Sequence, residues 1–457
     1  MSSDVVVPAS TPGHAQTPPS ILSPPYRATT IGMVALVSLH GFEALAVAAA
    51  MPTVAHDLDG LRLYALAFGG TLATSVIGMT LAGRWSDQRG PARPLWLGLA
   101  CFIAGLLVAG LAQHMPVLVL GRLMQGLGAG AISVALYVLV GRTFPDAMRP
   151  RVFAAFSAGW VVPSLIGPSI SGLIVQHLGW RWVFLAVPLL AVPAALLLRP
   201  ALRNLPPPPA AADSSPTVVR WAIGASMGAL LLYIGGQQTG WAALGLLLPA
   251  LALLGLCSWK LLPRGTLRLH RGLPSVIALR GIAASAFFGC EAFLPLLLQR
   301  ERGLTPLLAG VALSLGALGW FSGSWLQGHQ QRGWSRRQLL QSGALLMCAG
   351  IVATSLAIQP GVPLWLALAG WSLTGLGMGL IYPSLSVLTL SLSPPAEQGA
   401  NTSALQLSEA LGVATTLAIS GSLFALFLQG NVMLGYLLTY AIMLVLAAAS
   451  VAVARRV

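Results

Sequence analysis

The sequence predicts an all-α polytopic membrane protein made of two six-helix repeats and an inserted two-helix hairpin. Three observations predict this fold. Hydrophobic residues make up 56% of the 457 residues and charged residues only 8%, whereas soluble chains carry charge at about 25% of positions. Apolar runs near the ~20 residues that span a bilayer recur along most of the chain. Short motifs also recur in the same order in its two halves.

Fourteen apolar runs follow a first segment of different composition. Residues 1–26 are rich in Pro, Ser and Thr and lack the basic start and short apolar core of a signal peptide, which predicts a disordered cytoplasmic tail. The predicted transmembrane helices are 29–51, 63–83, 95–113, 116–141, 151–177, 180–199, 219–236, 241–262, 276–298, 305–327, 337–358, 362–391, 399–428 and 432–454.

The basic residues lie mostly in alternate gaps between these runs, and this asymmetry predicts the orientation. If the N-terminus is cytoplasmic, the opposite gaps hold only Arg62, Arg181, Arg300 and Arg302, and the cytoplasmic gaps hold most of the others. Because Lys and Arg are retained on the cytoplasmic side, we expect both termini to be cytoplasmic. The expected location is the plasma membrane, which is the inner membrane of a bacterium.

The placement of the charged residues and of the cysteines argues against a nucleic-acid partner and against a metal site. The net charge is +14, but no basic stripe with interleaved aromatic residues occurs, so nucleic acid is not an expected partner. The four cysteines stand alone inside apolar runs and form no CxxC pair, which predicts neither a disulfide framework nor a metal site; they are Cys101, Cys257, Cys290 and Cys348.

An internal repeat sets the predicted architecture. Three matches occur in the same order at offsets of 248 or 249 residues: Gly41–Ala44 with Gly289–Ala292, Gly126–Gly130 with Gly375–Gly379, and Ile170–Gly172 with Ile419–Gly421. Parallel repeats of this kind place the substrate path between the halves, near the membrane midplane. The predicted units are a bundle at 27–200, a Pro-rich cytoplasmic linker at 201–218, an inserted transmembrane hairpin at 219–262 and a second bundle at 272–457.

Several motifs resemble those of one transporter family. The segment Gly83–Arg93 resembles the G-x-x-x-D-x-x-G-x-x-R loop of the major facilitator superfamily, and Arg122–Gly128 resembles the R-x-x-Q-G-x-G of its fourth helix. Gly167–Gly172 resembles the G-P-x-x-G-G of the fifth helix of its antiporters, with Ser171 in place of the first paired glycine. The resemblance covers residues 29 to 454 and is strongest to the fourteen-span drug:proton antiporters, in which an acid also lies nine residues before a proline, as Glu43 does before Pro52.

The resemblance implies a role for the segment between the second and third spans. In the family this loop holds the cytoplasmic side closed in one of two access states. Gly83 and Gly90 are expected to permit a tight loop. Asp87 is expected to accept hydrogen bonds at a neighbouring helix N-terminus or to pair with Arg. The residues concerned are Gly83, Asp87, Arg89, Gly90 and Arg93. An acid retained only for topology is the alternative.

The fifth predicted span contains glycines and prolines that suit close helix approach and a bend. In the antiporters its motif is implicated in favouring exchange over uniport, so the resemblance implies export; tight packing alone is the alternative. The residues of this helix-five motif are Gly159, Pro163, Gly167, Pro168 and Gly172.

Three acids lie well inside apolar runs, where a charge costs at least ~2.5–3.5 kcal/mol and normally marks a transport pathway or a partner. Glu43 and Glu291 occupy equivalent repeat positions, so we expect them to face one cavity and to share the coupling proton; the third acid is Glu409. Arg122 is expected to stabilise a carboxylate or, as the family motif implies, to join a proton relay; a purely structural ion pair or a side chain extended to the membrane interface is the alternative. His40 shares a helix face with Glu43, which favours a relay or hydrogen-bonding role over a metal site.

Aromatic residues occur on the expected cavity-lining spans; they are Trp160, Phe287, Phe288, Trp371 and Tyr382. Each taken alone favours a packing role, but together they suit a large apolar or amphiphilic substrate. We therefore expect a monomeric secondary transporter that exchanges protons for lipophilic or amphiphilic compounds. We expect no cofactor and transport driven by a proton gradient; ATP-driven pumping is not expected, because no GxxxxGK[ST] loop is present. A lipid transporter and a small-solute uniporter or importer of the same fold remain alternatives. An enzyme is disfavoured, because the sequence has no HExxH and no GxSxG motif.

Overall fold

The computed structural model describes residues 20–60, 63–205, 217–235, 238, 240–304, 306–329, 333–427 and 430–457. Their α-helices are α1 Pro24–Asp57, α2 Tyr64–Arg89, α3 Ala92–Gly110, α4 Met115–Thr143, α5 Arg149–His177, α6 Arg181–Leu196, α7 Arg199–Arg203, α8 Thr217–Gly235, α9 Gly240–Leu261, α10 Leu273–Arg300, α11 Pro306–His329, α12 Arg336–Ser355, α13 Leu364–Leu392, α14 Gln398–Phe427 and α15 Val432–Ala454.

Ten of the described helices are long and apolar enough to cross a membrane, and α6 and α8 are shorter apolar helices. The number of spans, fourteen, remains a prediction. The predicted tail is partly helical, because α1 begins at Pro24, and proline suits the first turn of a helix, where its missing N–H is not needed. Residues 1–19 of that tail and 206–216 of the predicted linker lie outside the described residues.

Helix α2 corrects the predicted loop. The apolar run ends near Gly83, but the helix continues to Arg89, because leaving an apolar environment does not end a helix whose next residues tolerate helical geometry. The turn is confined to Gly90 and Pro91. Gly90 has φ +80° and its N–H donates to the Ser86 carbonyl at 3.0 Å, and the absence of a Cβ makes that conformation favourable.

Matching helix pairs pack in the two bundles. In the first, α4 packs between α2 and α3 and α1 packs on α5; in the second, α13 packs between α11 and α12 and α10 packs on α14. Glycines permit these approaches, since a methyl group on any of them would overlap backbone atoms of the neighbouring helix. These glycines are Gly126, Gly128 and Gly130 of α4 and Gly375, Gly377 and Gly379 of α13. The same kind of pairing therefore occurs in both bundles; the two-repeat layout remains a prediction.

The two bundles contact each other at the end of the molecule that contains Asp87, here called the Asp87 end. There α2 packs on α14, and α5 packs on α11. Helices α8 and α9, which form the predicted inserted hairpin, pack on each other and against α2 and α14. The hairpin therefore lies beside the α2–α14 contact.

Candidate functional site

A buried ion pair joins α1 and α4 in the first bundle. Glu43 is 2% exposed, and its Oε1 accepts hydrogen bonds from Nη1 of Arg122 and, at 3.1 Å, from Nε2 of Gln125. Arg122 also donates from Nη1 to Oε1 of Gln125 at 3.1 Å and from Nε to the Ala67 carbonyl at 3.2 Å. Arg122 and Gln125 are three residues apart on one helix face. The carboxylate is thus held by a fixed set of donors.

His40 lies one turn before Glu43 on α1. Its ring meets Phe102 and Trp160 edge-on, with centroids 6.1 and 5.6 Å apart. Nδ1 of His40 is buried and has no hydrogen-bond partner among the described residues. Buried polar atoms in proteins are normally bonded, so this nitrogen is available to a proton or a bound molecule.

A second buried ion pair, on α10 and α14, was only half predicted. Nε of Arg280 donates to Oε2 of Glu409 at 2.6 Å, and Nη1 donates to the Tyr382 carbonyl at 3.2 Å and to Oγ of Ser386 at 3.3 Å. The Tyr382 hydroxyl donates to both Glu409 oxygens at 3.1–3.2 Å. The sequence analysis named Glu409 but missed Arg280, although an arginine five residues into an apolar run is itself a signal.

The two ion pairs lie at different depths. Glu409 is about 16 Å along α14 from its start at the Asp87 end, whereas Glu43 is about 28 Å along α1 from Pro24, at ~1.5 Å per residue. Arg280 is 0% exposed, and the Glu409 side chain is 18% exposed. The second pair therefore lies closer to the Asp87 end, and its glutamate side chain is partly accessible.

Glu291 differs from both of these acids. It is half-buried on α10, about 27 Å from Leu273 at ~1.5 Å per residue, and the described residues give it no hydrogen-bond or ion-pair partner. The structure brings Glu43 together with Arg122 and does not place it in contact with Glu291. The two equivalent acids therefore have unequal surroundings: one has a guanidinium partner and the other has none.

At the Asp87 end, Asp87 caps the start of α14. Its Oδ1 accepts from the Gly399 N–H at 2.6 Å and its Oδ2 from the Ala400 N–H at 2.7 Å. These amides lack partners inside their own helix, and the helix N-terminus favours a negative charge. Gly83 lies against Gly399: a methyl group added to Gly399 would overlap the carbonyl oxygen of Gly83. Gly83 thus serves a helix contact, not the predicted loop; Arg89 and Arg93 are exposed.

The contact between α5 and α11 is close but carries no matching carboxylate among the described residues. A methyl group on Gly328 of α11 would lie 2.9 Å from Cβ of Ala154 and 3.5 Å from the Pro150 carbonyl oxygen. Pro150 stands 249 residues before Gly399 and has no N–H to donate. Gln330 precedes Arg332 and Gly333 as Asp87 precedes Arg89 and Gly90, which predicts it as the counterpart of Asp87; it lies outside the described residues.

The helix-five motif lies in the continuous helix α5. Gly159 is close to α1, since its added Cβ would lie 3.0 Å from Oγ of Ser38, and Gly167 has looser contacts at 3.7 Å. Gly172 has open space beside it and makes no close helix approach, which corrects that part of the prediction. Ser171, the departure from the motif, donates to the Ala46 carbonyl at 2.7 Å. Pro163 is buried and Pro168 lies within the helix.

The five predicted aromatic residues divide into two groups. Trp371 and Phe287 are 0% and 2% exposed and stack with centroids 4.9 Å apart, so here they pack in the second bundle's core. Trp160 is 42% exposed, and Phe288 and Tyr382 are half-buried. Within the described ranges, no group of three His, Cys, Asp or Glu side chains is placed to hold a metal.

The family model described as Major Facilitator Superfamily matches residues 33–416. The chain is 28% identical over 426 residues to a probable multidrug-efflux transporter of Mycobacterium tuberculosis, covering 87% of each chain. It is 24% identical to the multidrug efflux pump SdrM of Staphylococcus aureus, covering 87% of this chain and 90% of that protein. A bacterial homologue of the iron transporter ferroportin, crystallised in an outward-facing state, superposes with a TM-score of 0.68 at 14% identity, over 94% of this chain and 98% of that chain; this likeness concerns the fold.

Proposed function

The chain belongs to the major facilitator superfamily, and from this premise we propose that it is a proton-coupled antiporter that exports lipophilic or amphiphilic compounds. The observation that carries the proposal is the unequal state of two equivalent acids. Glu43 is held by Arg122 and Gln125, while Glu291 has no partner in the described residues. A transporter that exchanges protons needs a carboxyl group whose charge is not already neutralised by the protein.

In this proposal Glu291 carries the coupling proton. An unpaired carboxylate is costly in an apolar setting, so Glu291 holds a proton until a cationic substrate approaches. The cation supplies the missing charge and releases the proton, and the two ligands therefore exclude each other. Glu43 keeps its guanidinium partner and acts as a fixed polar anchor for the cavity, with His40 as a neighbouring hydrogen-bonding group.

Alternating access is proposed to act through the Asp87 end. The close Gly83–Gly399 contact and the two hydrogen bonds of Asp87 hold α2 against α14. Opening this end separates those groups and exposes the α14 amides to water. In this proposal the structure is the state closed at the Asp87 end, and the arginine distribution supports a cytoplasmic location for that end.

The proposed substrate class rests on the accessible aromatic residues and on the relatives. Relatives named for multidrug efflux cover most of this chain, and the exposed Trp160 together with half-buried Phe288 and Tyr382 offers apolar and aromatic surface. Such surface binds large apolar bodies, and a few polar groups orient them. A lipid transporter would use the same surface, so lipid movement must be assayed in parallel.

Transport by purified protein in liposomes tests the proposal. A lipophilic cationic dye should move faster when a pH gradient is imposed, and dye movement should itself release protons. A dye flux that ignores the gradient would overturn the antiport mechanism. Gradient-driven movement of a fluorescent phospholipid without dye movement would indicate that the protein transports lipids instead.

A further inference from the structure

A basic groove lies on the first bundle at the Asp87 end, away from both ion pairs. It lies between the start of α3 and the segment that joins α6 to α7, and its volume is about 480 Å³. The residues that line it are Ala92, Trp96, Leu196, Arg199, Leu202 and Arg203. This set combines an apolar floor with two guanidinium groups.

The short helix α7 builds the basic side of the groove. Leu198, just before α7, and Leu202 within it are four residues apart and buried, at 0% and 8% exposed. Arg199 and Arg203 are also four residues apart, and both are exposed. Residues at this spacing share one helix face. The leucines thus fix α7 to the bundle while the arginines stay accessible.

The groove lacks a counter-charge. Like charges at this helical spacing repel each other, and neither Arg199 nor Arg203 has a hydrogen-bond or ion-pair partner in the described part of the chain. None of the six lining residues is acidic. Guanidinium groups bind phosphate through paired hydrogen bonds. The charge pattern therefore fits an anionic phosphate group.

The apolar floor indicates where that phosphate comes from. Leu196 ends the apolar helix α6 and is 51% exposed, and Trp96 is half-buried one turn into α3. Tryptophan is enriched where a membrane meets water, and basic pockets at the ends of transmembrane helices bind anionic headgroups. A free phosphate would use the arginines but would leave the apolar surface uncovered.

We propose that this groove binds an anionic phospholipid of the adjoining leaflet, with its phosphate on Arg199 and Arg203 and its chains along Leu196 and Trp96. Every lining residue belongs to α3, α6 or α7. The site therefore lies within one bundle, does not depend on separation of α2 from α14, and stands whether or not the proposed antiport is correct.

Thermal unfolding and native mass spectrometry of the purified full chain test the site. Because a ligand that binds the folded state stabilises it, added phosphatidylglycerol should raise the unfolding midpoint more than phosphatidylcholine does, and bound phosphatidylglycerol should be detected. The double variant Arg199→Gln/Arg203→Gln should lose both effects. The matched control Arg336→Gln/Arg337→Gln removes the same charge at the start of α12 and should retain them.

Two outcomes would overturn the proposal. Equal phosphatidylglycerol stabilisation of the wild type and of the Arg199/Arg203 double variant would exclude this groove. Equal stabilisation by glycerol 3-phosphate and by phosphatidylglycerol would show that a free organophosphate, not a lipid, is the ligand. Should the double variant fail to fold, Leu196→Glu keeps both arginines and adds a carboxylate to the groove; it should lose the effect, and retention would count against the site.

Discussion

The Nε1–H of Trp371 donates to the Leu313 carbonyl at 3.1 Å, and the Nε–H of Arg122 donates to the Ala67 carbonyl at 3.2 Å. The two residues are 249 positions apart, the offset that separates the Gly-x-Gly-x-Gly runs of α4 and α13. Each bond joins the central helix of a three-helix group to its neighbour, α4 to α2 and α13 to α11. In the second bundle the neutral ring of Trp371 thus occupies the position that the Arg122 guanidinium has in the first. Glu291 therefore has no guanidinium partner from this position.

The Glu43–Arg122 pair predicts a strong thermodynamic coupling. Both side chains are almost fully buried, at 2% and 6% exposed, and removal of one partner leaves an uncompensated charge. We expect Arg122→Met to lower the free energy of unfolding by roughly 3–5 kcal/mol. The double variant Glu43→Gln/Arg122→Met should recover part of that loss, because neither charge remains.

Chemical or thermal unfolding in detergent measures this double-mutant cycle. Arg149→Met serves as a comparison, since its partner Asp146 has a side chain that is 79% exposed. Simple additivity of the Glu43 and Arg122 variants would contradict a functional ion pair in the folded protein.

Glu291 is expected to govern the pH dependence of transport. In the wild type, protons compete with a cationic substrate, so the apparent substrate affinity should rise as the pH rises. Glu291→Gln is nearly isosteric and removes the titrating group, so its dye transport should be the same with and without a pH gradient. Glu43→Gln should retain a gradient response, because Glu43 is already paired.

Flux measurements in liposomes across several pH values provide the test, together with direct proton-release recordings. Glu301→Gln removes an exposed acid just beyond α10 and should behave like the wild type. A normal gradient response in Glu291→Gln would move the coupling role to Glu43 or Glu409.

The sequence predicted those parts of the site that depend on composition and repetition. Intramembrane acids are rare enough to stand out, so Glu43, Glu291 and Glu409 were found without a structure. Their partners were harder to assign. Arg122 lies on α4 and Glu43 on α1, and no local pattern specifies which distant helices meet. Arg280 itself stands out as an arginine within an apolar run and was overlooked, but its pairing with Glu409 has no local signal either.

The helix boundaries show a similar division. The predicted span 432–454 coincides with α15, whose apolar run ends where the helix ends. The predicted span 63–83 stops six residues before α2 does, because hydropathy reports the edge of the apolar environment and not the last helical hydrogen bond. The hydrogen bonds of Asp87 to the α14 amides arise in that extension, and the contact of Gly83 with Gly399 lies at its edge. Both depend on how the two bundles dock, which no local sequence signal contains.

Asp87→Asn should weaken the closed state of the Asp87 end. The carboxylate accepts two backbone N–H groups, whereas an asparagine oxygen carries no charge and its amide nitrogen cannot accept. Hydrogen bonds to charged groups contribute about 1.5–3 kcal/mol, so closure should be less favourable by an amount of that order.

Labelling of a cysteine at position 403 reports on this change. Ser403 is 4% exposed and lies next to Gly83, so Ser403→Cys, in a background without the four native cysteines, should react slowly with a polar maleimide. Reaction should accelerate in Asp87→Asn and stay slow in Asp146→Asn, which removes an exposed acid from the same end. Equal rates in the two variants would show that Asp87 does not hold the contact.

Gly399→Ala tests the helix contact itself without any change of charge. The added methyl group would overlap the Gly83 carbonyl oxygen and lie 2.7 Å from Oδ1 of Asp87, so α2 and α14 cannot close as they do in the wild type. Gly421→Ala is the matched control on the same helix, because its Cβ meets nothing within 4 Å.

Gly421→Ala gains about 1 kcal/mol of helix propensity in the interior of α14. Gly399 is the second residue of that helix and gains no more than this, so loss of closure in Gly399→Ala alone isolates the contact. We expect Gly421→Ala to be as stable as the wild type or slightly more stable, with slow labelling of the cysteine at 403 and normal transport. Gly399→Ala should label rapidly and transport slowly, because the state closed at the Asp87 end is depopulated. Slow labelling and normal transport in Gly399→Ala would mean that α2 and α14 separate slightly at no cost, and that this contact does not set the access state.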